Sequence, residues 1–304
     1  MAAIAPPMMP RPINPICIAD PYPLCPSNTT PTTPSSHLLS GCGIITPPTQ
    51  ESGSTQISDR ARHTAMPRQN NATVVKVMSG LALEVAINRW LKPSFEANST
   101  FRLDIDWRPT AAIMTSIEAG QRADLVIAIN ASMDHLVAAS IVRPETRVPL
   151  AESVLGVGVR QGAPRPDVST VEAFKRAMLT ASAVAYSKAG ASGIYFANLI
   201  EKLGIAAAVN AKAVIIPMGF TAEKVASGEA ELAVQQISEL MTVPGIDVAG
   251  PFPASIQVAS RFDAAIFNDA TNTDGARAFL RLLTSAEATK AYTNGGLTSC
   301  LAPA

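Results

Sequence analysis

The chain is short of cysteine, histidine, aromatic residues and net charge, and each shortage removes a class of function. Of its 4 cysteines, 3 lie in the first 70 residues, which leaves Cys300 alone in the remainder. No disulfide can form within that remainder. Histidine occurs 3 times, and His135 is the only one beyond residue 63. It sits mid-helix between Asp134 and Leu136 and reads as a surface or half-buried histidine. No His/Cys/carboxylate set shows metal-ligand spacing, so no metal and no cofactor is expected. Aromatics make up 5%, too few for a platform that stacks bases or sugars. Lys+Arg and Asp+Glu both number 24, so there is no electrostatic footprint for nucleic acid or an anionic membrane. No run of about 18 apolar residues occurs, so no membrane span is expected. No Gly-x-Ser-x-Gly elbow is present, and no residue argues for an enzyme.

What is present is an apolar chain of 304 residues, 47% hydrophobic and 16% charged, ample for a core. The first 70 residues hold 13 of the 24 prolines. Their Pro/Ser/Thr-rich runs have no period, so residues 1–72 are expected to be disordered. No basic start or apolar stretch of signal-peptide type is visible there. Leu39-Ser40-Gly41-Cys42 matches a lipoprotein box in letters only, and Met66 offers an alternative start.

From Val74 onward strand and helix patterns alternate. Strands are expected at 74–78, 101–107 and 123–129, and helices at 80–97, 110–118 and 132–139. An extended crossing over 147–160 leads to a second series. Its helix opens with a Ser169/Glu172 capping box. A strand at 183–186, a helix at 192–203 and a strand at 213–216 follow. A short helix ends at Gly228, and a strand delivers Gln235 and Gln236 to its far end. Residues 246–252 lead back, and two helices, 273–283 and 285–293, close the chain around a second box, Thr284/Glu287. The pattern implies an α/β fold of two lobes, each a mostly parallel sheet flanked by helices, with a ligand cleft between them. The lobes are expected at 73–148 plus 254–304, and at 149–253.

In open α/β sheets ligands bind at the carboxyl ends of strands. Four places there carry small or hydroxyl residues at helix starts, where unpaired N–H groups and the helix dipole favour anions. They are Ser79-Gly80, Thr110-Ala111 after Pro109, Ser192-Gly193 after Ser187, and Gly219-Phe220 after Met218; Gln236, at the end of its strand, is a fifth candidate. Each hydroxyl could equally be a plain helix cap. Lys188 is the one cation expected near these loops, as a solvated loop residue. Of Gln235 and Gln236 one must face the cleft and one must face away, because strand side chains alternate.

The run Gly228-Glu229-Ala230-Glu231, the small-apolar strand after it and the Ser192-Gly193-Ile194-Tyr195 helix start resemble the type 2 periplasmic solute-binding proteins, in particular the molybdate-binding family of ABC importers. That resemblance implies a monomer that binds a small oxyanion, molybdate-like, and hands it to an ABC permease. It implies a periplasmic location, although no signal peptide is visible. It places Ser79, Gly80, Thr110, Ala111, Ser192, Gly193, Gly219, Phe220 and Gln236 around the ligand. Gln236 stands where molybdate binders often have tyrosine, and Pro109 departs from the family's Gly/Ser-rich turn. The alternative is a leaderless intracellular sensor domain of the same fold with a different ligand.

Overall fold

The computed structural model describes residues 73–301, so the expectations for residues 1–72 lie outside the described residues. Ten strands run β1 (Thr73–Gly80), β2 (Phe101–Arg108), β3 (Leu125–Ile129), β4 (Val148–Arg160), β5 (Val184–Ser187), β6 (Ala213–Ile216), β7 (Leu232–Gln236), β8 (Ile246–Pro251), β9 (Ala259–Ile266) and β10 (Thr298–Ser299). They form one path, β2-β1-β3-β9-β4-β7-β5-β6, with β8 and β10 also paired to β4. β1 pairs in parallel with β2 and β3, and β5 with β6 and β7. The expected parallel order therefore holds for the βα series. The returning strands add antiparallel pairs, because β9, β4, β8 and β10 run against their neighbours.

β4 joins the two halves of the sheet. Its first part, Val148 to Val154, pairs with β9, and its second part, from Leu155 on, with β7 and β8. The register slips between Pro149 and Ala151, where proline's missing N–H is tolerated at a bulge. This strand is the crossing expected over 147–160.

Buried side chains divide the same way. One set of cores draws on residues 75–151 and 262–297 and includes Val75, Leu83, Leu125, Phe262 and Phe279, with a second layer around Met78, Ile113, Met133 and Phe267 on the opposite sheet face. The other set falls within residues 155–252 and centres on Phe174, Tyr186, Phe196 and Phe252. There the ring pairs Phe174–Phe252 and Tyr186–Phe196 lie 4.7 and 5.2 Å apart in edge-on geometry. Each such pair adds about 0.5–1.5 kcal/mol beyond area burial. Aromatics are scarce in this chain, and these are spent on the core.

The first helical stretch runs over 81–97 and begins as a 3₁₀ turn at Leu81–Leu83. It widens to a π turn at Ile87–Leu91, before Pro93 in Lys92–Ala97. A wider turn moves the carbonyl of Arg89 out of the way of the Pro93 ring, which a regular helix would not allow. The capping boxes read from the sequence sit one residue late. Thr170, not Ser169, accepts from the Ala173 N–H at 3.1 Å, while Ser169 turns to Asp167. Ser285, not Thr284, accepts from the Ala288 N–H at 3.2 Å. In both places two hydroxyl residues are adjacent, and the one that accepts stands three residues before the first free N–H it can reach.

Candidate functional site

β1, β2 and β3 each end in a helix start on the same sheet edge, and β5, β6 and β7 do the same in the second half. Every residue expected to touch a ligand falls on one of these edges.

On the first edge Gly80, not Ser79, occupies the cap position of the helical stretch, and no side chain caps it. Ser79 is fully buried, and its hydroxyl donates to the carbonyl of Gly80 at 3.2 Å, a long bond to its own neighbour. Thr110 is the first residue of the helix Thr110–Glu118, and Pro109 takes the cap position, again without a side-chain cap. The reading of Thr110 as a cap is thereby corrected, since the extended φ and ψ of proline turn the chain one residue earlier. A Cβ on Gly80 would lie 3.0 Å from the Phe262 ring and 3.5 Å from Thr110 Oγ1, so the three are clustered. Ala111 is exposed beside them. Asp106, near the end of β2, pairs with Arg108.

On the second edge the helix Ala191–Lys202 starts at Gly190 with no side-chain cap. It is drawn tightly onto β5. A Cβ on Gly193 would overlap the carbonyl of Ser187, and one on Gly190 would lie 2.5 Å from Ser187 Oγ. These glycines let the helix start meet the strand end, so Ser187 Oγ is enclosed between them. It is buried and has no hydrogen-bond partner. Ser192 is also buried, while Lys188 is exposed as expected.

The two glutamines separate as the strand alternation requires. Gln235 Oε1 accepts from the Thr221 N–H at 2.8 Å and from Thr221 Oγ1 at 2.9 Å, and its Nε2 donates to the Gly219 carbonyl at 3.0 Å. It holds the 219–221 turn, in which Gly219 has φ +97°. Gln236 has no such role, and its Oε1 is buried without a partner. Among the described residues Ser187 Oγ and Gln236 Oε1 are the two buried side-chain polar atoms left unsatisfied. They sit on the last residues of neighbouring strands at one edge. Buried polar atoms are nearly always paired, so each orphan marks a place where a partner is absent; the register puts Ser187 level with Gln235, on the sheet face opposite Gln236.

Just past Gln236 a short helix, Ile237–Leu240, packs against the segment 81–86 of the first half. Its Glu239 is 9% exposed. Burial pushes this carboxyl up to about 7 and Glu84 adds to the rise, against the hydrogen-bonding pull of Gln235 and the Gln236 backbone. Burial also raises Glu84. Neither carboxyl is in an ion pair among the described residues.

A charged group that sequence reasoning missed lies on β9. Asp263, 1% exposed, is shared by Arg147 and Arg261. No pattern in the chain announces it, because it depends on β9 entering the middle of the sheet. A groove of about 590 Å³ lies elsewhere, lined by Val154, Val168, Phe252 and Gln257 among others, and includes none of the expected site residues. Its polar side chains are satisfied, Asp167 by Ser169 and Gln257 by the Leu155 backbone, so it shows no need of a ligand.

The contacts unite Gly80 with Thr110, Ser187 with Gly190 and Gly193, and Gln235 with Gly219. Between the two edges, the helix that follows Gln236 packs against the segment 81–86 that follows Gly80. A site formed at such edges can hold a small anion by neutral donors, with N–H groups from several helix starts.

The chain was compared with known proteins. The family model described as bacterial extracellular solute-binding protein matches residues 75–298. An aconitate isomerase from a Pseudomonas species is 36% identical over 215 residues, covering 69% of this chain and 82% of the relative. The periplasmic molybdate-binding protein of Azotobacter vinelandii superposes with a TM-score of 0.61 at 15% identity, over 76% of this chain and 100% of that one. The sulfate-binding protein SubI of Mycobacterium tuberculosis H37Rv gives 0.59 at 16%, over 75% and 87%. At these identities the two structures speak for the fold, which is the two-lobe periplasmic-binding-protein type. The family match spans both series of strands and every edge residue described above, and the chain belongs to the bacterial extracellular solute-binding proteins.

Proposed function

We propose that the chain binds a small carboxylate-bearing polyanion between two lobes, 73–148 plus 254–304 and 149–253, at the strand edges that carry Ser79, Gly80, Thr110, Ala111, Ser192, Gly193, Gly219, Phe220 and Gln236. Ser187 joins this set. The division of the buried side chains at 151–155 and 252–262 supports those boundaries. The observation that carries the reading is the pair of orphaned atoms, Ser187 Oγ and Gln236 Oε1. A ligand seated over the strand ends would supply the missing partners. The 36% identity to an aconitate isomerase favours organic carboxylates over molybdate. Delivery to an ABC permease outside the cytoplasm is the role that the family suggests.

Calorimetry tests the reading with cis-aconitate, trans-aconitate and tricarballylate against molybdate, sulfate and phosphate. Heat with the carboxylates alone is expected, and Gln236→Leu should weaken it about tenfold. Binding of molybdate in preference to every carboxylate would overturn the ligand class.

A second reading is isomerisation of aconitate, favoured by the same relative. Incubation with cis-aconitate and chromatography for the trans isomer decides it. An unchanged substrate at micromolar protein would leave a binding protein.

A further inference from the structure

We propose that Arg261 is the residue that selects for charge at this site, by giving its guanidinium to a carboxylate of the ligand; the proposal rests on the polycarboxylate reading above.

The sheet register places the residue. β9 runs against β3, with Ile129, the last residue of β3, opposite Phe262. Arg261 therefore stands one residue beyond the end of β3, on the side where β1, β2 and β3 turn into their helices. Phe262, beside it in the chain, crowds Gly80 near Thr110, while Arg261 lies on the strand's other face with Asp263. Arg261 thus stands at the end of β9 that borders the first ligand edge, on a strand held from both sides by β3 and β4.

The hydrogen bonds separate the roles of the two arginines on Asp263. Arg147 uses Nε and Nη2 on Asp263 Oδ2 at 2.8 and 2.7 Å, Nη1 on Asp134 at 2.6 Å, and Nη2 again on the Asn130 carbonyl at 3.3 Å. It is 22% exposed and nearly saturated. Arg261 uses only Nε, at 3.1 Å to Asp263 Oδ1, and one Nη2 bond of 3.5 Å. A guanidinium has five N–H donors, so about three on Arg261 have no partner among the described residues. Its side chain is 41% exposed.

The ion pairs divide in the same way. Asp134 and Asp263 together offset Arg147 and Arg261, and Glu152, opposite Arg261 on β4, forms no ion pair with it among the described residues. What Arg261 keeps is unused donors. Asp263 is 1% exposed, so it is a fixed buried anchor that restricts how Arg261 can swing. A fork held at Nε presents its two Nη groups outward, the geometry that grips a carboxylate.

The experiment compares the full chain with Arg261→Gln and Arg261→Lys by calorimetry. The probes are tricarballylate, a trianion, and glutarate, a dianion with the same five-carbon chain. Arg261→Gln should weaken tricarballylate roughly ten- to a hundredfold. It should weaken glutarate less, and leave the unliganded melting temperature nearly unchanged. Arg261→Lys should recover part of the tricarballylate affinity. If the wild-type protein binds tricarballylate and Arg261→Gln binds it equally well, Arg261 has no part in selection, although the ligand class stands. An equal loss for both probes with a lowered melting temperature would make Arg261 a structural partner of Asp263 and overturn the proposal. No heat with any carboxylate for the wild type would overturn the ligand class and this proposal with it.

Discussion

Replacing Glu239 by glutamine should stabilise the unliganded protein at pH 8 and remove part of its pH dependence. The carboxyl is raised from 4.5 to about 7 in the folded state because it is buried at the seam between the Ile237–Leu240 helix and the segment 81–86, with Glu84 as a like-charged neighbour. The unfolded chain releases this proton near the ordinary carboxylate value. Between about pH 4.5 and 7 the folded state therefore binds more protons than the unfolded state. Stability from this group is fully present below that window and is lost as pH rises through it, with a flat profile above. A rise of about 2.5 units at 1.36 kcal/mol each gives at most about 3 kcal/mol at pH 8. Glutamine has the same shape and no proton to lose. Urea unfolding of wild type and Glu239→Gln at several pH values from 5 to 8 measures the difference directly, since titrating groups other than the coupled Glu84 cancel. The gap should be smallest at pH 5 and widen toward pH 8, with the variant ahead. Parallel profiles would show that Glu239 ionises normally and would refute the argument from burial.

Two further outcomes rest on the second edge. Gly193→Ala would force the helix start off the Ser187 carbonyl and should cost about 1–3 kcal/mol in thermal or urea unfolding, with affinity falling as well; Ser192→Ala, which keeps its backbone N–H, should change affinity much less. Gln235→Leu removes three bonds to Thr221 and Gly219 and leaves buried groups unpaired, roughly 2–4 kcal/mol by denaturation, whereas Gln236→Leu, which removes an already orphaned oxygen, should leave the unliganded protein as stable or more so.

Much of the fold was legible because the period of apolar residues reports directly on which faces are buried. Leu125 to Ile129 and Leu232 to Val234 are short apolar runs between turn residues, and both are buried strands. Gly228 ends its helix with φ +86°, as a glycine after a helical pattern should. β9 was not legible. Ala259 to Ile266 reads Ala-Ser-Arg-Phe-Asp-Ala-Ala-Ile, which is rich in alanine and carries two charges, so neither composition nor period suggests a strand. Its place in the middle of the sheet is set by the neighbours β3 and β4, which are distant in sequence. The parallel character of the sheet was overread for the same reason. Only the crossing strands run antiparallel, and they are the ones whose partners lie in the other half of the chain.

The site divides along the same line. Positions set by local backbone could be assigned to the strand ends early, since a helix start after a strand is visible in the chain itself. Ser79, Thr110, Ser192 and Gly219 were reached in that way. Their detail was misjudged where two neighbours compete for one backbone position, as with Pro109 and Thr110. What sequence alone could not assign was which polar group lacks a partner. Gln235 and Gln236 are chemically identical, and alternation says only that they differ. The fold decides it, because the 219–221 turn occupies Gln235 and nothing occupies Gln236. The same test separates Arg147 from Arg261. In each pair one side chain is consumed in holding the structure and its twin keeps its donors or acceptors free. A buried unsatisfied group such as Gln236 Oε1 costs stability that an apolar residue would not, and the exposed donors of Arg261 are open to any anion, so the free member of each pair is where a ligand is to be sought.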